Sequence, residues 1–310
     1  MKNAIKIFAP ASISNLNVGF DHLGVAIHGL GDEIIIGKGE KTGLKITEIR
    51  GDKRTLPLDV LQNAAGIGAY ALLEHLGATQ EPLEMILHKK MPIARGLGSS
   101  AASAVAGVYA VNSYLKVGLE KSELLPFAKM AEEAVSQSKV LDNLAPSLLG
   151  GMMLIQDNEK LLYKRLYAPS GLHFLLLIPD AKINTSESRM KLPETVPLKH
   201  AVQQSANFAT FVAATYTSDF EAIKTCMKDL VIEETRSKSI PYFEKYKEIA
   251  LDGGALGFGI SGSGSTMFCM TDNSVIAENI KEKVQEFTEQ NKYVLDTHLT
   301  TINTEGVIKL

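Results

Sequence analysis

One stretch constrains this chain more than any other: PIARGLGSSAAS (Pro92–Ser103), a glycine–serine turn running into small residues. Glycines at 96 and 98 let a backbone approach an anion closely. Ser99 and Ser100 add hydroxyls, and Ala101 and Ala102 begin a good helix without crowding a ligand. The free N–H groups and positive dipole end of a helix N-terminus bind phosphate with no lysine. None is supplied here, because no Gly-Lys-Ser/Thr follows the glycines as it does in the common phosphate loop. Taken alone, the pattern fits a tightly packed strand–turn–helix corner equally well.

A second glycine cluster shifts that balance. GGALGFGISGSGSTMF (Gly253–Phe268) holds six glycines in its first twelve residues and leads into an apolar strand. It reads as a hairpin over Phe258–Met270, turned by Gly262-Ser263-Gly264. Two such loops, far apart in the chain, suggest segments of two domains closing over one ligand, a common arrangement around a nucleotide.

The 310 residues are enough for two domains. Strands are expected over AIKIFAP, Asp32–Lys38, Gly43–Ile49, Leu83–Pro92, His173–Pro179 and YVLDTHLTTI, with a polar loop over Ala11–Asp21. Helices are expected over Asn63–Leu76, Ser99–Lys116, Ser122–Ala134 (capped by Ser122), Lys199–Ala214, Asp219–Leu230 and Asn273–Gln290. The domain boundary falls near Tyr167–Leu172, dividing the chain into units 1–168 and 169–310. Strands mixed with helices in both halves make the fold class α+β. Gly96–Leu115 is uncharged over twenty residues, but its three glycines, four serines and Asn112 suit a buried helix better than a membrane span. The N-terminal MKNAIKIFAP lacks a long apolar core, so no signal peptide is read. A net charge of −3 gives no general attraction to nucleic acid or an anionic membrane, so an anion site must be local. Cys226 and Cys269 are too few for a disulfide framework and fit a reducing cytosol.

With three motifs in order, the chain resembles the superfamily of galactokinase, homoserine kinase, mevalonate kinase and phosphomevalonate kinase, the GHMP kinases. Pro-x3-Gly-Leu-Gly-Ser-Ser-Ala-Ala (Pro92–Ala102) looks like its ATP loop, preceded by APASISNLNVGFDHLG (Ala9–Gly24) and followed by GISGSGSTMF (Gly259–Phe268). Within it, the chain is most similar to homoserine kinases. Ser14–Asp21 stands where sugar and mevalonate members carry Gly-Glu-His. LDNLAPSLLGG (Leu141–Gly151) and IPDAKINTSESR (Ile178–Arg189) also follow the homoserine-kinase pattern. The resemblance implies an N-terminal domain like domain 2 of ribosomal protein S5 and a ferredoxin-like C-terminal domain. It also implies ATP-dependent phosphorylation of the side-chain hydroxyl of L-homoserine, Mg²⁺ as cofactor, a cytoplasmic location and a homodimer.

It further implies site residues. Pro92, Ile93, Ala94, Arg95, Gly96, Leu97, Gly98, Ser99, Ser100, Ala101 and Ala102, with Asn63, would bind ATP. Ser100 and an acid matching Glu132, with Glu133 as the alternative, would reach Mg²⁺. Asn15, Asp21, Asn143, Thr185, Arg189, Arg236 and Gly262 would bind homoserine. A zwitterion wants a carboxylate for its ammonium (Asp21) and an arginine fork for its carboxylate (Arg189, Arg236). Ser100, Glu132 and Asn143 would act at the reacting end. No residue stands out as a general base, although Asp142 competes for the role, so direct attack by the hydroxyl is expected. Two positions depart from the pattern: Val140 replaces a histidine, and Asn17 stands where glycine is usual. Asparagine tolerates positive φ better than most residues. The rival readings are a mevalonate-type kinase, whose substrate would leave Asp21 unpaired, and a non-catalytic binding protein of the same fold.

Overall fold

The structure, a computed structural model, describes residues 2–137 and 139–310; Met1 and Ser138 lie outside the described residues. The first half runs β1 (Lys2–Ser14), β2 (Leu23–Lys38), β3 (Leu44–Arg50), a 3₁₀ turn (Val60–Gln62), α1 (Ala64–His75), β4 (Leu83–His88), α2 (Ser99–Tyr114), α3 (Lys121–Ser136), α4 (Leu144–Leu149), β5 (Met152–Asp157) and β6 (Leu162–Leu166). The second half runs β7 (His173–Pro179), α5 (Thr185–Met190), α6 (Leu198–Thr217), α7 (Phe220–Cys226), α8 (Glu233–Ser237), α9 (Phe243–Asp252), β8 (Gly257–Ile260), β9 (Met267–Thr271), α10 (Ser274–Gln290), β10 (Leu295–Thr301) and β11 (Ile308–Lys309).

Two sheets carry the molecule. The seven-stranded sheet runs β11-β1-β2-β4-β3, with β5 also paired to β2, and β6 to β5. The long β2 changes partner along its length: Leu23–Val25 pair with β5, and Glu33–Lys38 with β4. The four-stranded sheet runs β10-β7-β9-β8, antiparallel throughout. The apolar run of β7 is explained by burial on both faces. Phe174, Leu176 and Ile178 join the larger core, and Leu175 and Leu177 join a second core with α9 and α10.

The uncharged Gly96–Leu115 segment is a buried helix. Twelve residues of α2 are buried, and two glycines let it lie close against α1. A Cβ on Gly68 would come within 2.8 Å of Val108, and one on Gly107 within 2.1 Å of the Ala65 carbonyl oxygen. Among the described residues no helix is long and apolar enough to cross a membrane.

Several boundaries differ from the sequence reading. β1 continues through Ser14, so the loop before β2 spans only 15–22. The cap of α3 is Glu120, in a capping box with Glu123, rather than Ser122. The polar stretch after β7 contains α5, whose N-terminus is capped by Asn184 through the N–H groups of Ser186 and Glu187. The chain also returns after β10, where Ile302 bridges Ile27 and β11 extends the first sheet beside β1.

Candidate active site

The three glycine- and serine-rich segments meet. The Ser261 hydroxyl donates to the Gly96 carbonyl at 2.6 Å, Thr266 N–H to Arg95 at 3.0 Å, and Gly262 N–H to Ser14 at 3.3 Å. Gly96 has φ +78°, and a Cβ there would fall 2.2 Å from the Ser261 carbonyl oxygen. Gly98, at φ +67°, caps α2 with no side-chain hydrogen bond, so the first N–H groups of this sixteen-residue helix face an open cavity of about 250 Å³.

That cavity gathers most of the residues singled out in the sequence. Ile93–Gly96 and Gly98–Ala101 form one wall, and Asn15, Asp21, Glu132 and Asn143 a second. Thr185, Arg189, Arg236 and Gly262 close it from the other half of the chain. Four positions lie off it. Leu97 and Ala102 are buried in the core, and Pro92 lines a neighbouring groove. Asn63 caps α1 through Ala65 N–H and donates to the Pro57 carbonyl. It stands on a smaller adjoining cavity of about 110 Å³, which Leu56, Pro57 and Ile93 also line. Arg95 touches both the main cavity and the groove, and pairs with Asp180.

At the phosphate-loop end, Ser100 Oγ donates to Glu132 Oε1 at 2.9 Å, and Ser136 Oγ to the same oxygen at 2.7 Å. Glu132 Oε2 is buried and has no hydrogen-bond partner among the described residues. Burial pushes this carboxyl's pKa up, against the two serine hydrogen bonds and the positive charge of Lys89. Glu133 instead pairs with Lys129 at 3.5 Å and does not line the cavity. Beside Gly98, the Asn143 amide is held at three points. Its oxygen accepts from Ser12 at 2.8 Å, and its nitrogen donates to Ser14 at 3.1 Å and to Asp142 at 3.2 Å. The Asp142 carboxyl is pushed up to about 7, first by burial and then by the charge of Asp21, while Ser14 and the two arginines pull it down.

At the opposite end, Arg189 forks onto Asp21 with bonds of 2.9 and 2.7 Å. Arg236 donates to the Gly262 carbonyl at 2.6 Å, and Asn15 to the same oxygen at 3.2 Å. Thr185 and Ser263 hydroxyls lie 3.3 Å apart. An anion cradle, an orphaned carboxylate oxygen and a patch carrying both signs of charge therefore line one cavity.

Residues 63–151 match the family described as GHMP kinases N terminal domain, and residues 211–290 match GHMP kinases C terminal. The homoserine kinase of Chloroherpeton thalassium is 35% identical, covering 96% of this chain and 97% of that protein. That of Arabidopsis thaliana is 39% identical over 91% of this chain and 78% of its own length. A crystal structure of homoserine kinase from Cytophaga hutchinsonii superposes with TM-score 0.96 at 38% identity, covering 100% of this chain and 98% of that one. The chain belongs to the homoserine kinase family of GHMP kinases. Its architecture is the two-domain α+β fold of that family.

In this kinase the residues present fit a divalent cation shared with phosphates. Glu132 Oε2 is a buried carboxylate oxygen on the cavity without a hydrogen-bond partner among the described residues, and Ser100 bonds the other oxygen of the same carboxylate. Among the described residues no cluster of three or more His, Cys, Asp or Glu could hold a metal unaided.

Two groups in this kinase escaped the sequence reading. Lys89, on the approach to the glycine loop, is almost wholly buried. Its ammonium pairs with Asp32 and donates to the Ser99 carbonyl at 2.9 Å and Ser103 Oγ at 2.7 Å, pinning the start of α2 from behind. Its signal was a basic pair directly after the half-buried strand Leu83–His88. Phe20 presents its ring to both cavity arginines, at 5.4 Å from the Arg189 guanidinium carbon and 5.2 Å from that of Arg236. Of the two departures from the family pattern, Val140 lines the cavity. Asn17 sits at φ +60° and donates to the Phe258 carbonyl at 2.8 Å and the Met227 carbonyl at 3.3 Å, so the turn survives with added ties to the second half.

Proposed function

We propose that this protein transfers the γ-phosphoryl group of ATP to the side-chain hydroxyl of L-homoserine. The observation that carries the reading is the juxtaposition of an anion cradle with a patch matching a zwitterion. Asp21 offers a carboxylate to an ammonium, and Arg189 and Arg236 offer guanidinium forks to a carboxylate, in the cavity faced by the uncapped end of α2. The Asp21–Arg189 pair exchanges its internal bonds for the two ends of the substrate. Mevalonate, lacking an ammonium, would break that pair and leave Asp21 without a partner.

The roles follow from position. N–H groups from Gly96 to Ala101 hold phosphate oxygens, and the small cavity beside Asn63 and Leu56 takes the base. Glu132 and Ser100 hold Mg²⁺, which when bound supplies positive charge to the phosphate oxygens. Asn143, fixed by Ser12, Ser14 and Asp142, stands beside the reacting hydroxyl, while Thr185 and Asn15 shape the substrate end. The hydroxyl oxygen bonds to the γ-phosphorus as the bond to the β–γ bridging oxygen breaks. ADP leaves, and the hydroxyl proton passes to the phosphoryl oxygens in a direct attack. In this reading unit 1–168 carries the nucleotide loop and unit 169–310 the two arginines. The enzyme works as a homodimer in the cytoplasm, where buried Cys226 and Cys269 stay reduced.

ADP release measured with homoserine, with mevalonate and with neither tests the proposal. Turnover with homoserine alone is expected. Turnover only with mevalonate overturns the substrate, and silence in all three favours a binding protein.

A further inference from the structure

Arg189 and Arg236 reach one cavity from separate short helices, α5 and α8. Burial first, and the charge of Arg189 second, lower the pKa of Arg236. Arg189 is neutralised by Asp21, but Arg236 has no ion-pair partner among the described residues, and its buried Nε has no hydrogen-bond partner there. The group that both guanidinium carbons share is the ring of Phe20, at 5.4 and 5.2 Å. An aromatic face carries negative charge density and attracts a cation within about 6 Å of its centroid.

The loop that carries the ring is held from both halves of the molecule. Its loop is closed by bonds from Gly19 N–H to the Asn15 carbonyl at 2.9 Å and from Leu23 N–H to the Gly19 carbonyl at 2.8 Å. From the second half, Gln204 donates to the carbonyls of Asn17 and Val18 at 3.0 and 3.2 Å. A ring carried on a fixed loop can set where two long, flexible side chains lie.

We propose that Phe20 is a positioning residue that holds Arg189 and Arg236 side by side through its ring face and so sets affinity for the carboxylate end of the substrate. The role rests on the reading that these arginines take that carboxylate. It differs from filling space, because it depends on the ring's electron density and not on its volume alone.

Fluorination separates the two roles, since it drains the ring face with little change in shape. Enzyme carrying one, two and three fluorines on the ring at position 20 is expected to show a homoserine KM rising step by step. The total rise should be about two- to thirtyfold, with kcat and the KM for ATP steady. Phe20→Leu should raise the KM similarly in a variant confirmed as folded by its thermal unfolding, and Phe20→Tyr should stay near the parent. A homoserine KM flat across the fluorinated series overturns the proposal. If Arg189→Leu raises the KM in parallel while that series is flat, only the role of Phe20 fails. If Arg189→Leu and Arg236→Leu are silent as well, the carboxylate site itself is misassigned.

Discussion

Asp21 and Arg189, 168 positions apart, hold each other through two parallel hydrogen bonds of 2.9 and 2.7 Å. Both residues line the main cavity, and the pair is partly open to solvent, with side chains 21% and 45% exposed. It therefore contributes under ~1 kcal/mol to stability. Its weight falls on binding. Truncating one partner of a charge pair desolvated by substrate costs about 2–5 kcal/mol, or on the order of thirty- to several-thousand-fold in affinity. Arg189→Leu belongs at the low end of that range and the more buried Arg236→Leu higher. Each should raise the KM for homoserine with little change in that for ATP. Lysine at either position should recover only part of the loss, because a point charge does not reproduce a fork. Steady-state kinetics on folded variants checks this, and parental KM values in both leucine variants would place the carboxylate site elsewhere.

Glu132 and Glu133 are neighbours with opposite surroundings. One oxygen of Glu132 is buried and unpartnered at the phosphate loop, while Glu133 pairs with Lys129. Glu132→Gln should lower kcat by a factor of 100 or more, on the order of 3 kcal/mol, and leave the homoserine KM close to the parent's. Glu133→Gln should be near neutral. Full activity in the first and loss in the second would reverse the assignment.

Gly98 combines φ +67° with close neighbours: a Cβ would lie 2.4 Å from Ser12 Oγ and 2.8 Å from Asn143 Oδ1. Left-handed backbone costs an L-residue about 1–2 kcal/mol before any clash. Gly98→Val should displace Asn143 and narrow the anion cradle, weakening nucleotide binding at least tenfold by calorimetry. Unchanged nucleotide affinity in a folded variant would make the loop a packing corner.

Asp142 takes up its proton near pH 7 in the folded protein, against 3.8 for an ordinary aspartate. A raised carboxyl supplies stability that is fully present below pH 3.8 and lost as the pH rises through 7. Asp142→Asn escapes that loss. Relative to the parent it should gain about 2 kcal/mol between pH 5.5 and pH 8.5, read as a thermal-unfolding difference that widens with pH. A constant difference would mean that Asp142 titrates normally. Retained turnover in this variant would support direct attack by the hydroxyl, and a collapse of kcat would make Asp142 the proton acceptor.

The parts of the site legible in the sequence are those where local backbone geometry dictates residue type. Gly96, Gly98 and Gly262 have positive φ, so their clusters announce themselves. That Glu132 and not Glu133 lines the cavity was legible in principle. Leu124, Leu125, Ala128 and Ala131 are the other buried residues of α3, and helical spacing from Leu124 and Ala128 carries the buried face to 132. The Asp21–Arg189 pair and the position of Phe20 were not legible, because nothing local says what a loop residue meets from 168 positions away. The helices α5, α8 and α9, with β6 and β11, escaped for another reason. Most are short, and α5 buries only Ser188, so apolar period gives little to read.

The chain passes between its two sheets at the start of β7 and again after β10, and these crossings are neighbours: His173 and Thr301 face each other across the β7–β10 ladder. The far end of β7 lies on the opposite side, where Asp180 meets Arg95 at the edge of the cavity, about 20 Å along the strand. Both covalent links thus leave from one point, while at the cavity the halves are joined by non-covalent contacts alone, from Ser261 to Gly96, Thr266 to Arg95 and Arg189 to Asp21. Parting the halves at that end would break those contacts and leave the ladders of both sheets whole.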